Sequence, residues 1–142
     1  MLLVTPEKIA SVMALAPVPH SFAELDELVS KGLPKSALRA SIAHIFKNSE
    51  DRKTLLYRII PEATYKRRRD VLTAGESERA ERLARIVATS EYVWNSEEDA
   101  RAFLSTPHAM LQGRMPLEVS MTELGARRVE ELLWKLYYGI AA

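Results

Sequence analysis

Apolar residues in this chain recur at intervals of three and four along almost its whole length, and no alternating run of β-branched residues competes with them. That period marks one helical face turned toward a core. It is clearest from Glu123 to Tyr138, where Leu124, Val129, Leu132, Leu133, Leu136 and Tyr137 share a side and Gly139 is placed to end the helix as its C′ residue. The expected fold is all-α, with about seven or eight helices.

Punctuation divides the period into segments. Thr5-Pro6 is a helix entry, since a threonine oxygen caps free N–H groups and proline suits the first helical position. Ile9, Val12 and Met13 give that helix its face. Ser21 with Glu24 forms a capping box, and Phe22, Leu25, Leu28 and Val29 follow on one face as far as Gly32. The two segments are expected to pack as an N-terminal helical hairpin. Pro34 opens a third helix carrying Leu38, Ile42, Ile45 and Phe46, which runs to Asn48-Ser49; Ser49 caps a short fourth one holding Leu55 and Leu56. Pro61 pushes Ile60 out of the helical region, and helix resumes from Glu62 to Asp70. A second capping box, Thr73 with Glu76, starts a long helix with Ala80, Leu83, Ala84, Ile86, Val87 and Trp94. Ser96 and Asp99 start another that buries Ala100, Phe103 and Leu104. Between Thr106 and Leu117, Pro107, Gly113 and Pro116 fold a compact turn region.

At 142 residues the chain can bury a sizeable core without staples, either as one domain or as two interlocked ones. It has no cysteine, which excludes disulfides, thiolate metal sites and thiol chemistry. Pro6-Glu7-Lys8 interrupts the apolar start, no basic stretch precedes it, and no run is long enough to span a bilayer. A cytoplasmic protein without membrane attachment is expected. The formal net charge of +1 conceals segregation: residues 1–30 carry −3, residues 31–69 carry +8, and residues 70–142 carry −4. A basic centre between acidic ends suits a chain that meets nucleic acid with one part and another partner with a second. The same lysines and arginines can also simply solvate helix faces.

Short helix, tight turn, short basic helix is the pattern of a helix-turn-helix, whose second helix enters the major groove. Here that helix is Glu62 to Asp70, and Thr64, Lys66, Arg67, Arg68 and Arg69 are the candidate DNA-binding residues, reaching either base edges or phosphates. Ala63 is expected to face inward, with Tyr65 either packed or on the DNA backbone. Enzyme chemistry finds no support. His20, His44 and His108 lie far apart, none has a second ligand at metal-binding helical spacing, and Glu97-Glu98-Asp99 complements a helix dipole. No catalytic residue, metal ligand or cofactor is assigned. Trp94, Trp134, Tyr92, Tyr137 and Tyr138 are either core or interface anchors, with Trp134 and Tyr138 the leading interface candidates. Arg114, after Gly113, either meets an anion or bridges helix C-termini.

Thr106-Pro107, then Gly113-Arg114-Met115-Pro116-Leu117, then a helix running into Tyr138-Gly139, resembles the C-terminal toxin-binding domain of Xre/ParS-type antitoxins. The likeness covers about Arg82 to Gly139, and a weaker one to the family's helix-turn-helix covers about Leu33 to Arg69. It implies residues 1–72 as a helical region with an Xre-like DNA-binding helix-turn-helix, and residues 73–142 as a toxin-binding and dimerisation domain. It further implies a type II antitoxin that neutralises a RES-domain toxin, an NAD-degrading or ADP-ribosylating enzyme, and represses its own operon by binding operator DNA as a homodimer. Arg114, Trp134, Tyr138, Gly139 and Ile140 would then meet the toxin. A stand-alone helix-turn-helix regulator without a toxin is the alternative. One departure stands out: the family's turn commonly has glycine where this chain has Ile59, and a β-branched residue resists positive φ. The helix-turn-helix is therefore expected to be degenerate.

Overall fold

The structure, a computed structural model, describes residues 3–139. Among the described residues it is all-α, with nine α-helices, one 3-10 turn, no strand, and isolated bridges joining Pro34 to Val71 and His108 to Arg114. The helices are α1 (Pro6–Val12), α2 (Phe22–Lys31), α3 (Lys35–Ala43), α4 (Ser49–Ile59), α5 (Glu62–Arg67), α6 (Ala74–Trp94), α7 (Glu97–Leu104), α8 (Pro116–Val119) and α9 (Glu123–Tyr137). The 3-10 turn is Ala109–Leu111. No helix is long and apolar enough to cross a membrane.

The long helix α6 is the axis of the molecule. It lies against α1, α2, α3, α7 and α9. Ala80, Ala84 and Ala88 let neighbouring backbones approach, while Leu83, Ile86 and Val87 fill the space between them. Being surrounded, α6 also buries Ser77, Thr89 and Ser90, and each hydroxyl is satisfied. Ser77 Oγ accepts from Leu33 N at 2.8 Å, and Thr89 and Ser90 donate to the carbonyls of Arg85 and Ile86, four residues back. The capping box at its start is complete, with Glu76 N donating to Thr73 Oγ1 and Thr73 N donating to Glu76 Oε1. At the other end Asn95 adopts the left-handed conformation, which asparagine tolerates.

Several boundaries fall elsewhere than the period suggests. Helix α3 stops at Ala43 because His44, Ile45 and Phe46 form a tighter turn, and Asn48, not Ser49, caps α4 by accepting from Asp51 N at 2.9 Å. The α1 and α2 pair forms, but both members dock on α6 as well as on each other. Phe22 and Leu28 are left on the open side of α2, and Leu124 is 70% exposed although it keeps the period of α9. Burial follows the neighbours available, not the period alone.

Two glycines are required by close approach. Gly32 has φ +108°, and a Cβ there would meet the Leu72 carbonyl oxygen at 2.5 Å; its place at the end of α2 lets Leu72 N donate to Leu33 O. Gly125 sits in the first turn of α9, where a Cβ would lie 1.7 Å from the Val119 carbonyl oxygen. The corner between α8 and α9 is thus tighter than any side chain permits. Gly139 follows α9 at φ +69°, its N–H donating to Leu136 O, as expected of a C′ glycine.

Candidate functional site

The basic segment closes into a helix-turn-helix without using positive φ. Ile59 remains helical, Ile60 is extended at φ −132° and ψ 120°, and Pro61 opens α5. Both isoleucines are buried, so the turn is anchored by apolar packing where a glycine would supply backbone freedom. Arg79, from α6, donates to the Ile59 carbonyl at 2.6 Å and satisfies a group that the end of α4 leaves open.

Helix α5 ends at Arg67, three residues short of the expected Asp70, and this separates the five candidate DNA-binding residues. Lys66 and Arg67 are exposed on the helix, and Thr64 is half-buried beside Arg67. Arg68 has left the helix in an extended conformation and makes two 2.9 Å bonds to the buried Glu76 carboxylate. This bidentate pair, with the Thr73 N–H, holds the Glu76 pKa down to about 2. Arg68 therefore clamps the α5–α6 connection. Arg69 is exposed beyond it. Ala63, expected to face inward, is exposed, and Tyr65 is the inward residue. Lys35 stacks its ammonium 4.4 Å from the Tyr65 ring centre and donates to Arg68 O at 3.0 Å, while the Tyr65 hydroxyl donates to Lys35 O. Burial pushes the Tyr65 pKa up.

The other exposed assembly is aromatic. Trp134 and Tyr138 stand 4.9 Å apart between ring centres, Tyr137 and Tyr138 5.0 Å, and Tyr137 and Tyr92 5.2 Å, with the two last hydroxyls 3.1 Å apart. Tyr92, Tyr137 and Tyr138 are each between 44% and 48% exposed. Three aromatic rings left half open beside a fourth are what an interface needs, since large rigid side chains lose little entropy on docking. Trp134 is half-buried, and its indole N–H is shut away from solvent with no acceptor among the described residues. Gly139 adjoins this cluster. Ile140 lies outside the described residues. Arg114 is exposed in the turn region, where His108 N donates to its carbonyl at 3.1 Å, and no described ring contact or hydrogen bond joins its side chain to the aromatic cluster.

The sequence leaves Tyr92 and Tyr137 as either core or interface anchors and does not show that they meet. They come from different helices, and a period along one helix cannot report a contact across two. Ion pairs also join α9 to α6: Arg85 meets Glu130 at 2.9 Å and Arg82 meets Glu123 at 3.1 Å, while Glu81 holds Arg85 at 3.1 Å from within α6. Carboxylates around Arg85 outweigh the burial that opposes its charge, so its pKa is raised; burial raises that of Glu81.

One further polar cluster joins α1, the end of α3, α6 and α7. His44 Nδ1 lies 2.7 Å from Glu91 and 3.1 Å from Glu97, and Lys8 lies 3.1 Å from Glu91. The hydrogen bond to Glu91 raises the His44 pKa. Burial pushes Glu91 up, but the bonds from His44 and Lys8 outweigh it and leave its pKa lowered. The three His44, Glu91 and Glu97 donor atoms could contact a cation, yet Lys8 already stands against the buried carboxylate. The arrangement is that of a structural charge cluster.

The fold thus presents a helix-turn-helix and an aromatic-faced helical module built around one shared helix. Residues 24–85 match the model of the antitoxin Xre-like helix-turn-helix domain, and residues 90–139 match that of the antitoxin Xre/MbcA/ParS C-terminal toxin-binding domain. The matches meet inside α6 and together cover most of the chain, which belongs to the Xre/MbcA/ParS antitoxin family, a family of antitoxins and not of enzymes. The chain is also 38% identical over 84 residues to antitoxin Xre of Pseudomonas putida, a stretch that covers 57% of this chain and 53% of that protein. It spans about half the length of the curated relative it matches.

Proposed function

We propose that this protein is the antitoxin of a type II toxin–antitoxin pair, which binds and neutralises a RES-domain toxin that degrades NAD or transfers ADP-ribose. The observation that carries the reading is the position of the exposed aromatic cluster: Tyr92, Trp134, Tyr137 and Tyr138 all fall within the stretch that matches the toxin-binding domain. Docking there would cover the open faces of the tyrosines, which are the large rigid side chains that anchor interfaces. Gly139, Ile140 and Arg114 are proposed as further toxin contacts. Residues 73–142 would form the toxin-binding and dimerisation domain, and residues 1–72 the DNA-binding region.

The same reading makes the protein a repressor of its own operon in the cytoplasm, binding operator DNA as a homodimer with Lys66, Arg67 and Arg69 on phosphates or bases and Thr64 beside them. Support comes from the helix-turn-helix match and from the +8 charge of residues 31–69. Co-expression tests the toxin half: growth should survive induction of a RES-domain protein encoded beside this gene and fail when Trp134 and Tyr138 are both changed to alanine. Protection by a DNA-binding but toxin-indifferent chain would be impossible, so a protein that binds the operator yet never rescues growth would instead be a stand-alone regulator.

A further inference from the structure

Where the end of α4, the middle of α6 and the α8–α9 corner meet, a pocket of about 200 Å3 opens between Arg58, Arg79 and Arg82 over a floor of Ile59, Leu83 and Met121. Three guanidinium groups around so small a space repel one another unless negative charge compensates them. Compensation is incomplete. Arg58 is paired with Glu118, and Arg82 with Glu123 at 3.1 Å, but Glu123 also lies 3.7 Å from both Arg85 and Arg127. Arg79 donates to the neutral carbonyl of Ile59, and among the described residues no carboxylate stands within ion-pair distance of it. Donors remain as well: each guanidinium carries five N–H groups, and the described bonds use one on Arg58, one on Arg79 and two on Arg82.

We propose that this pocket binds a phosphate group. Planar guanidinium forks match the oxygens of a tetrahedral oxyanion, and the apolar floor lowers the local dielectric and strengthens each contact. The volume is below the roughly 300 Å3 at which sites for drug-sized ligands begin, so it suits a free diphosphate or a single phosphate of a larger molecule. Two sources share that chemistry. One is a small free phosphate compound; the other is the DNA backbone, because Ile59 is the last residue before the turn of the helix-turn-helix. Since α4, α6 and the α8–α9 corner each supply part of the wall, an occupied pocket would tie the DNA-side helices to the C-terminal module. This site is independent of the toxin reading.

The test uses the full chain at constant ionic strength, with chloride as the compensating anion, and inorganic pyrophosphate as the probe. Pyrophosphate should broaden in its phosphorus resonance spectrum and should raise the unfolding temperature of the wild type. Arg79→Gln, which removes the charge while keeping a polar side chain, should weaken that binding by about tenfold or more, while Arg79→Lys retains part of it. Arg128→Gln, at an arginine of α9 that bonds Gln112 and does not line the pocket, is the control and should bind as the wild type does. A second arm measures a short DNA duplex of arbitrary sequence over a salt series. If pyrophosphate fails to bind but Arg79→Gln lowers duplex affinity and reduces the log–log salt slope by about one, the phosphate is that of DNA. Wild type that binds neither probe through Arg79, or Arg79→Gln that binds both unchanged, overturns the proposal.

Discussion

Two connections to α6 are held by different forces. On the α5 side the connection is polar: Arg68 grips Glu76 with two 2.9 Å bonds, and Lys35 reaches Arg68 O and the Tyr65 ring. On the α9 side the contact is made by Ala126, Val129, Leu132 and Leu133, all buried, and its corner depends on a glycine into which no Cβ fits. Arginine pairs decorate that second contact but lie at its margin. A polar clamp responds to pH and to salt, whereas an apolar seam responds to volume. The surface proposed for DNA is therefore mounted on the adjustable side, and the surface proposed for the toxin on the rigid one.

The largest effect should come from breaking the rigid side. In Gly125→Ala the added methyl must displace the Val119 carbonyl, which needs a backbone shift and not a rotamer change. We expect a loss of about 3 kcal/mol in unfolding free energy. Urea unfolding of the two chains measures it, and toxin neutralisation should fall with it. A loss within experimental scatter would show that the α8–α9 corner is loose, and the comparison between the two sides would fail.

On the adjustable side the sharper variable is pH. The folded Glu76 pKa is depressed to about 2 from an ordinary value of 4.5, so its contribution is complete above about pH 4.5 and is lost as pH falls toward 2. Glu76→Gln should cost about 2 kcal/mol at neutral pH, a figure reduced for solvent screening because the Arg68 partner is partly open. That gap should close as both chains are acidified through this window. A difference between Glu76→Gln and wild type that stays constant from pH 7 to pH 2 would mean that the carboxylate is not the group being lost. Gly125→Ala, by contrast, should show no such pH dependence.

The contrast also explains what the sequence disclosed. Helix entries at Thr5, Thr73 and Ser96, the end at Gly139, and most of the buried positions of α6 are local matters, set by capping chemistry and period, and they were legible. So was the family, through the resemblance that Thr106-Pro107, the Gly113 to Leu117 turn and the final helix carry. The role of Arg68 was not legible, because four basic residues in a row look alike until one of them finds a carboxylate eight positions away in a second helix. Leu124 was misplaced for the converse reason: its period is right, but no neighbour covers that edge of α9. Tyr92 joined the aromatic cluster only through a contact between helices 45 residues apart in sequence.

Among the basic residues the comparison can be sharpened by salt. Lys66 and Arg67 are exposed on α5, so the double change to alanine should lower duplex affinity about tenfold at physiological salt and reduce the log–log salt slope by about two. Arg68→Ala should instead lower stability and leave the slope per folded molecule nearly unchanged, since its guanidinium is engaged by Glu76. Anisotropy titrations across a salt series, at a temperature where both variants are folded, separate the two. Equal slope changes would mean that Arg68 leaves Glu76 to meet DNA.

The smallest effect is expected at Tyr137. Its hydroxyl lies 3.1 Å from that of Tyr92, both rings are exposed, and water can replace the bond on either side. Tyr137→Phe should therefore change unfolding free energy by less than about 0.5 kcal/mol. Binding is another matter. If a partner covers the cluster, both hydroxyls lose water together, and the Tyr92 hydroxyl left without its neighbour would be buried unpaired, at a cost of about 1 kcal/mol or more in affinity. Calorimetric unfolding and toxin titration of the same variant thus give a paired readout: an unchanged fold with affinity weakened several-fold places this edge inside the covered surface. Unchanged affinity puts the toxin's boundary short of Tyr137 and leaves Trp134 and Tyr138 as the anchors to examine.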